Sequence, residues 1–331
     1  MIKTTKAIST DFLNGKTVLV TGGTGTFGRA FVARLLNVPG ITKVIVLSRD
    51  ELKQSEMASQ YKHDPRLRFF IGDIRDPERL RRAFEGVDIV VHAAAMKRVE
   101  SIEYNPFEAI QTNILGSKNV VDAALDRGVR KVLLVSSDKA VEPINLYGAT
   151  KLAAEKLFVA ANAYAGHGQG AFSVVRYGNV IGSRGSFVEL IARQRPHGVI
   201  TITDKDMTRF WIRIESVMDI VLECLALMQG GEIFVPKMKN MPITEMVRLL
   251  APECKTKVVG MRPGEKLHET LLTRYEVAQA KELPRMFAIA PLESEWAEWL
   301  ARYKSVPKDF VYTSNNKKFL LNKKEAIELF R

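Results

Sequence analysis

The stretch Thr17–Gly28, TVLVTGGTGTFG, constrains this chain more than any other. A short β-branched run feeds a glycine-rich turn, and the turn opens an amphipathic segment. In that context Gly22 permits the tight turn, Gly25 lets backbone approach a pyrophosphate, and Gly28 allows close helix–strand packing. The helix that begins there offers unpaired N–H groups and a positive dipole end to phosphate. Thr26 and Phe27 occupy its first positions and are assigned with the three glycines to a dinucleotide. A glycine pattern alone is weak; the strand–turn–helix setting makes it specific.

The rest of the first half repeats this alternation. Strands are predicted at 17–21, 43–47, 67–71, 88–92, 131–135 and 172–177, and helices near 26–37, 50–62, 77–85, 107–128 and 147–165. Near-continuous apolar strands separated by helices indicate a parallel sheet covered on both faces. The expected fold is α/β, a Rossmann-type doubly wound parallel sheet with a smaller mixed α/β C-terminal substrate lobe. We expect the dinucleotide domain over 14–177, with 204–231 returning to it, and the substrate lobe from 178–203 and 232–331. Pro236, Pro242, Pro252, Pro263 and Pro284 punctuate short elements in that lobe, and 315–331 reads as a peripheral helix with a basic face.

Composition narrows the class. The 331 residues allow about two domains. Lys and Arg number 49 against 37 acids, a net charge of +12. The excess is spread along the chain with no basic stripe, which argues against nucleic acid and suits small anionic ligands. No apolar run approaches the ~18 residues of a membrane span. With only Cys224 and Cys254 there is no disulfide framework, so a cytoplasmic protein without membrane association is expected. The five histidines lack metal-ligand spacing, and no metal is expected.

The end of the second strand reads Ser48-Arg49-Asp50, with Lys53 one turn later. Arg49 and Lys53 favour a 2′-phosphate, hence NADP over NAD, while Asp50 suits a helix N-cap with either cofactor. Asp73 and Ile74 follow the third strand and would flank the adenine. Ala93–Ala95 would form a small-residue floor.

Tyr147 and Lys151 form a Tyr-x-x-x-Lys pair at a helix start, on one helix face. A nearby ammonium lowers a phenol's pKa and makes it a base for a hydroxyl proton. Ser137, at the end of the fifth strand, can hydrogen-bond the same oxygen. With the glycine fingerprint these residues resemble the extended, nucleotide-sugar-modifying branch of the short-chain dehydrogenase/reductase superfamily.

A narrower resemblance rests on SSDKA (136–140), SRDELKQSEM (48–57), HAAAMK (92–97), RYGNVIGSRG (176–185), MTRFW (207–211) and RPGEKLHE (262–269). Sugar-nucleotide 4,6-dehydratases that retain configuration carry Asp-Glu at the fifth strand end; here it is Asp138-Lys139. From about residue 14 to 275 the chain resembles the inverting UDP-N-acetylglucosamine 4,6-dehydratases of pseudaminic acid biosynthesis, which serves flagellin glycosylation. The family usually has Thr where Ser137 stands.

The resemblance implies a tightly held, recycled NADP, with Lys97, Tyr147, Lys151 and Val180 also contacting it, and a homo-oligomer, a hexamer. Tyr147 would deprotonate the sugar 4-hydroxyl, assisted by Ser137 and Lys151. Lys139 would remove the C5 proton and Asp138 protonate the departing 6-hydroxyl. An amine base needs a depressed pKa, which burial and the cations Lys97 and Lys151 would supply. Lys97, Lys139, Asn179, Arg184, Arg209, Arg262 and Glu265 would contact the substrate, the arginines at the UDP diphosphate. From spacing alone, Asp138 can instead cap a turn, Lys139 can be solvated, and any of the arginines can pair with an acid such as Glu265. Two rivals stand beside this reading: the related dehydratases of capsule and O-antigen pathways, and a non-catalytic NADP sensor. Tyr147 and the absence of an N-terminal membrane region favour the first reading over both.

Overall fold

The computed structural model describes residues 9–166, 170–183, 185–291 and 298–330. Its first half runs β1 (Thr17–Thr21), α1 (Thr26–Leu36), β2 (Lys43–Ser48), α2 (Glu51–Gln60), β3 (Leu67–Ile71), α3 (Pro77–Ala83) and β4 (Ile89–His92). Then come α4 (Val99–Tyr104), α5 (Pro106–Ala109), a π-helical stretch Ile110–Leu115, α6 (Gly116–Asp126), β5 (Lys131–Ser137), α7 (Leu146–Ala165) and β6 (Ala171–Tyr177). Side-chain caps set several helix starts: Asp50 accepts from Lys53 N, Asp76 from Arg79 N ahead of Pro77, and Asn145 from Gly148 N. Each such cap is worth about 1 kcal/mol.

The second half contains β7 (Asn179–Val180), α8 (Phe187–Gln194), β8 (Val199–Ile202), β9 (Thr208–Ile212), α9 (Ile214–Leu227), β10 (Ile233–Pro236), β11 (Lys239–Pro242) and α10 (Ile243–Leu250). It ends with β12 (Lys255–Val258), β13 (Thr270–Leu272), β14 (Ala280–Glu282), β15 (Met286–Ile289), β16 (Lys304–Ser305), β17 (Tyr312–Thr313) and α11 (Lys323–Phe330).

Ten strands form one sheet in the order β16-β14-β15-β10-β6-β5-β4-β1-β2-β3. From β10 to β3 neighbours are parallel, and β15, β14 and β16 add an antiparallel edge. The central strands are buried on both faces, as in Val18, Leu19 and Val20 of β1 or Val132, Leu133 and Leu134 of β5. At about 1.5–3 kcal/mol per fully buried aliphatic side chain, this layer dominates the stabilisation. The Rossmann-type fold read from the alternation is the fold observed.

The division of the second half differs from the expectation. β10, β14, β15 and β16 lie within 232–331 yet belong to the large sheet. Ile233, Phe234 and Val235, and then Met286–Ile289, are short apolar runs that the sheet buries, and Pro236 ends the first of them. The segment 204–231 splits as well. α9 packs on α1 and β5, with Arg34 bonded to Asp219 (3.1 Å) and Lys131 to Leu225 O (2.6 Å). β9 instead centres a small sheet, β11-β9-β7.

That sheet, with the pair β8–β12, surrounds a second core of Ile191, Ile200, Met207, Trp211, Met246 and Val247. The tail forms a short 3-10 turn at Lys317–Phe319 and then α11, where Ala326 is buried and Phe330 meets the Trp211 ring edge-on at 5.8 Å. Apolar contact, rather than a solvated face alone, decides its position. No helix among the described residues is long and apolar enough to cross a membrane.

Candidate active site

The β1–α1 turn is shaped by what its glycines lack. Gly22 has φ +65°, and a Cβ there would stand 2.9 Å from Ala94 backbone. A Cβ on Gly28 would stand 2.4 Å from Gly23 Cα, so α1 approaches the turn only without one. Gly25 is the N-cap residue of α1 and supplies no capping side chain, which leaves first-turn N–H groups for an anion. Thr26 and Phe27 lie on that first turn.

A buried network fixes the floor. Thr21 Oγ1 accepts from Ala93 N (3.1 Å) and Ala94 N (3.2 Å) and donates to His92 Nδ1 (2.7 Å). His92 Nε2 then donates to Ser117 Oγ (3.1 Å), whose own hydroxyl donates to Asn113 O (2.6 Å). Burial drives the His92 pKa down to about 3, so the imidazole is neutral in this chain of bonds.

The residues predicted around the adenosine cluster at the ends of β2 and β3. Arg49 reaches Asp73 at 3.3 Å, and the Lys53 ammonium pairs with Asp50. The hydrogen bond from Lys53 holds the Asp50 carboxyl below its usual range. Ile74 is buried against Gly116, where a Cβ would lie 2.7 Å from its Cδ1. An uncapped helix start, a turn closed to any Cβ, and two cations at the β2 end fit a dinucleotide.

The catalytic candidates gather at the end of β5. Ser137–Ala140 turns sharply, with Ser137 Oγ accepting from Lys139 N at 3.3 Å. α7 starts directly over this turn because residue 148 is glycine: a Cβ there would lie 2.2 Å from Lys139 O. Asp138 is fully buried, and its Oδ1 accepts from Ser137 Oγ (2.8 Å) and Lys139 Nζ (2.8 Å). Lys139 Nζ also donates to Asn179 Oδ1 (3.1 Å) and stands 3.4 Å from Glu269 Oε1.

Burial raises the Asp138 pKa, and the Glu269 charge adds to the rise against Lys139. For Lys139, burial favours the neutral amine, but Asp138 and Glu269 outweigh it and the pKa is raised. The expected depression of this amine therefore does not occur. Two carboxylates rather than two lysines are its dominant neighbours.

A second correction concerns the phenol. Tyr147 is raised by burial, although the Lys139 charge and Ser137 hydroxyl pull it down. Lys151, expected to lower it, donates to Val135 O at 2.6 Å and is itself driven by burial to about 8. The amine stays mostly protonated near neutrality, but its hydrogen bond goes to the Val135 carbonyl rather than to the phenol.

The substrate candidates divide. Asn179, Arg209, Arg262 and Glu265 line one cleft with Thr201 and Thr203. Arg209, buried, gives its terminal nitrogens to Thr208 O (2.7 Å), Leu267 O (3.1 Å) and Lys266 O (2.9 Å). It braces the RPGEKLHE segment rather than standing open. Arg262 bonds Glu100 at 2.7 Å, and Glu265 accepts from the Arg262 backbone N–H at 3.1 Å. Val180 is half-buried beside Asn179, and Arg184 lies outside the described residues. Lys97 is exposed on the loop after β4, a loop gripped by Asn113, which accepts from Met96 N (2.8 Å) and donates to Met96 O (3.0 Å).

Asn113, Glu269 and Arg176 escape a reading of the sequence. Arg176 is fully buried and bonds Glu155 through two nitrogens (2.6 and 3.1 Å), while Ser136 donates to the same Glu155 at 2.5 Å. Glu269 ends the RPGEKLHE motif and Arg176 begins RYGNVIGSRG, so each has a signal without an assigned role.

The profile of the family described as "Polysaccharide biosynthesis protein" matches residues 18–291. The inverting UDP-N-acetylglucosamine 4,6-dehydratase of Campylobacter jejuni subsp. jejuni serotype O:2 is 46% identical over 326 residues, covering 96% of this chain and 97% of that protein. The crystal structure of Pen from Bacillus thuringiensis superposes with TM-score 0.88 at 38% identity, over 96% of this chain and 98% of that one. DesIV, a dTDP-glucose 4,6-dehydratase from Streptomyces venezuelae solved with NAD bound, gives TM-score 0.64 at 26% identity, over 76% and 86%. With this extent of match and a Rossmann-type fold of short-chain dehydrogenase/reductase kind, the chain belongs to the polysaccharide biosynthesis protein family.

Proposed function

We propose that the protein dehydrates UDP-N-acetylglucosamine and inverts C5, giving UDP-2-acetamido-2,6-dideoxy-β-L-arabino-hexos-4-ulose. The observation that carries this reading is the buried 2.8 Å hydrogen bond between Lys139 and Asp138 at the end of β5. Gly22, Gly25, Thr26, Phe27, Gly28, Asp73, Ile74, Ala93 and Val180 would hold NADP, with Arg49 and Lys53 at its 2′-phosphate. When bound, NADP supplies an acceptor for the C4 hydride and the same hydride for C6, so no net oxidation results.

Tyr147 takes the proton of the 4-hydroxyl as C4 becomes a ketone, with Ser137 and Lys139 favouring its phenolate against burial. The ketone acidifies the C5 proton. Within the pair, one proton moves from Lys139 Nζ to Asp138 Oδ1 along the existing hydrogen bond. That shift yields a neutral amine and a carboxylic acid; burial assists it at both groups, and it starts from a resting pair in which Lys139 holds its proton tightly.

The amine then removes the C5 proton, and Asp138 gives its proton to the 6-hydroxyl, which leaves as water. Lys139 ends as ammonium and Asp138 as carboxylate, restoring the ion pair. A solvent-derived proton then enters C5 from the opposite face and inverts that centre, and Tyr147 gives the 4-hydroxyl proton back to solvent, so the cycle releases only water.

Arg184 and Arg262 are assigned to the diphosphate, with Arg209 bracing the segment that carries Arg262, and Lys97, Asn179 and Glu265 to the sugar end. The same reading places the enzyme in the cytoplasm as a homo-oligomer, a hexamer, opening pseudaminic acid formation for flagellin glycosylation. Purified protein given UDP-N-acetylglucosamine without added NADPH should release a nucleotide sugar lighter by one water. Unchanged substrate, or a C4 epimer of the same mass, would refute the dehydratase reading.

A further inference from the structure

Glu269 immediately precedes β13, far along the chain from the β5 turn, yet it faces the same ammonium. It is 3% exposed, and its Oε1 lies 3.4 Å from Lys139 Nζ. Its backbone is fixed on both sides: Glu269 N donates to Ser314 Oγ (2.9 Å) and Ser314 N to Glu269 O (2.8 Å). Two residues on, Leu271 O accepts from the buried Arg176 (3.0 Å). A carboxylate held this rigidly out of water normally has close partners of its own.

Glu269 does not. Its Oε2 has no hydrogen-bond partner among the described residues. Arg209 Nε is 3.9 Å away and Lys266 Nζ 4.0 Å. Both are already engaged, Arg209 with three backbone carbonyls and Lys266 with Val141 O. Lys139 is the nearest cation, and it is also bonded to Asp138 and Asn179. One ammonium thus sits between two buried carboxylates, of which only Asp138 is within normal hydrogen-bonding distance.

We propose that Glu269 is a positioning residue whose charge sets the protonation of the Asp138–Lys139 pair without touching the reacting sugar. This rests on the dehydratase reading, which gives that pair its acid and base roles. A fixed negative charge stabilises the lysine proton and disfavours the Asp138 carboxylate, so both members bind protons more tightly. The directions for Asp138 and Lys139 agree, since Glu269 raises both.

The other charges facing the cluster are Arg209 from β9 and Lys266 from the segment before β13, with Glu142 acting on Lys266. Tyr147 from α7 faces Lys139, and His268 turns to Thr208 Oγ1 at 2.9 Å. Burial opposes ionisation of Glu269, but Lys139 first, and then Arg209 and Lys266, hold it charged.

The test is the pH profile of kcat for the holoenzyme, the Glu269→Gln variant and the Glu269→Asp variant. Loss of the charge should move both limbs of the bell towards acid by about one pH unit, and the shorter carboxylate should move them less in the same direction. A lower kcat with both limbs in place would mean that Glu269 is only structural and would overturn the proposal. If the Gln variant fails to fold, the Asp variant decides, and unmoved limbs there overturn the proposal equally.

Amine labelling of Lys139 against pH, read by mass spectrometry, reports the shift without turnover. A native protein that makes no product therefore breaks the dehydratase reading. A labelling midpoint unmoved by Glu269→Gln breaks this one.

Discussion

The dinucleotide cradle and the β5 turn solve opposite problems. The cradle is local: residues 17–28 and the ends of β2–β4 build it from missing Cβ atoms, backbone N–H groups and half-exposed ion pairs. Lys53 and Asp50, for instance, are each more than a third exposed. The β5 turn is convergent, drawing Asp138, Lys139, Asn179, Arg209 and Glu269 from across the chain into a site where charges face each other out of water. Exposed pairs contribute about 0–1 kcal/mol, whereas a buried charge left unmatched costs several. Changes in the cradle should therefore act through shape and affinity, and changes around the turn through charge.

The largest effect expected is at the turn. Lys139→Ala should lower turnover by about 10³-fold, the scale of a lost general base, while a fluorescence titration still shows NADP binding. Equal losses of binding and turnover would erase the distinction between the two regions.

Next comes the brace behind the turn. Arg176→Met leaves Glu155 buried without its guanidinium and should cost about 3–5 kcal/mol in a denaturant melt. The cradle's counterpart is His92. Its folded pKa of about 3 lies below the ordinary 6.5, so the folded state binds fewer protons than the unfolded chain. Its contribution is complete above the ordinary value and is lost as pH falls from there towards 3, up to about 5 kcal/mol. A chemical melt of His92→Asn should show a weaker loss over that window.

Two smaller effects separate shape from charge within the cradle. Gly28→Ala should destabilise by about 1–3 kcal/mol through the clash with Gly23, and weaken both NAD and NADP. Arg49→Ala should weaken NADP about tenfold and leave NAD unchanged. Equal effects on the two dinucleotides would remove the 2′-phosphate assignment.

The same contrast explains what is legible in the sequence. Gly22, Gly25 and Gly28 carry their meaning within one turn, and β1 and β3 begin and end where their β-branched and aromatic runs do. Asp138 and Lys139 are visible as a pair, but their proton affinity is not. That depends on Glu269, which the fold brings to 3.4 Å from a position 130 residues on. Arg209 reads as an open clamp because sequence does not show that Leu267 and Lys266 present carbonyls to it. β10 and β15 are four residues each, too short for a period to declare them, and only pairing with β6 and with each other places them in the large sheet.

The central claim is that the Asp138–Lys139 pair exchanges the C5 proton and inverts that carbon. Incubating the holoenzyme with UDP-N-acetylglucosamine in D2O and taking the product's NMR spectrum tests it most directly. The account predicts a 4-keto-6-deoxy product carrying deuterium at C5 in the L-arabino configuration. A product with protium at C5, or with the original configuration retained, would contradict it.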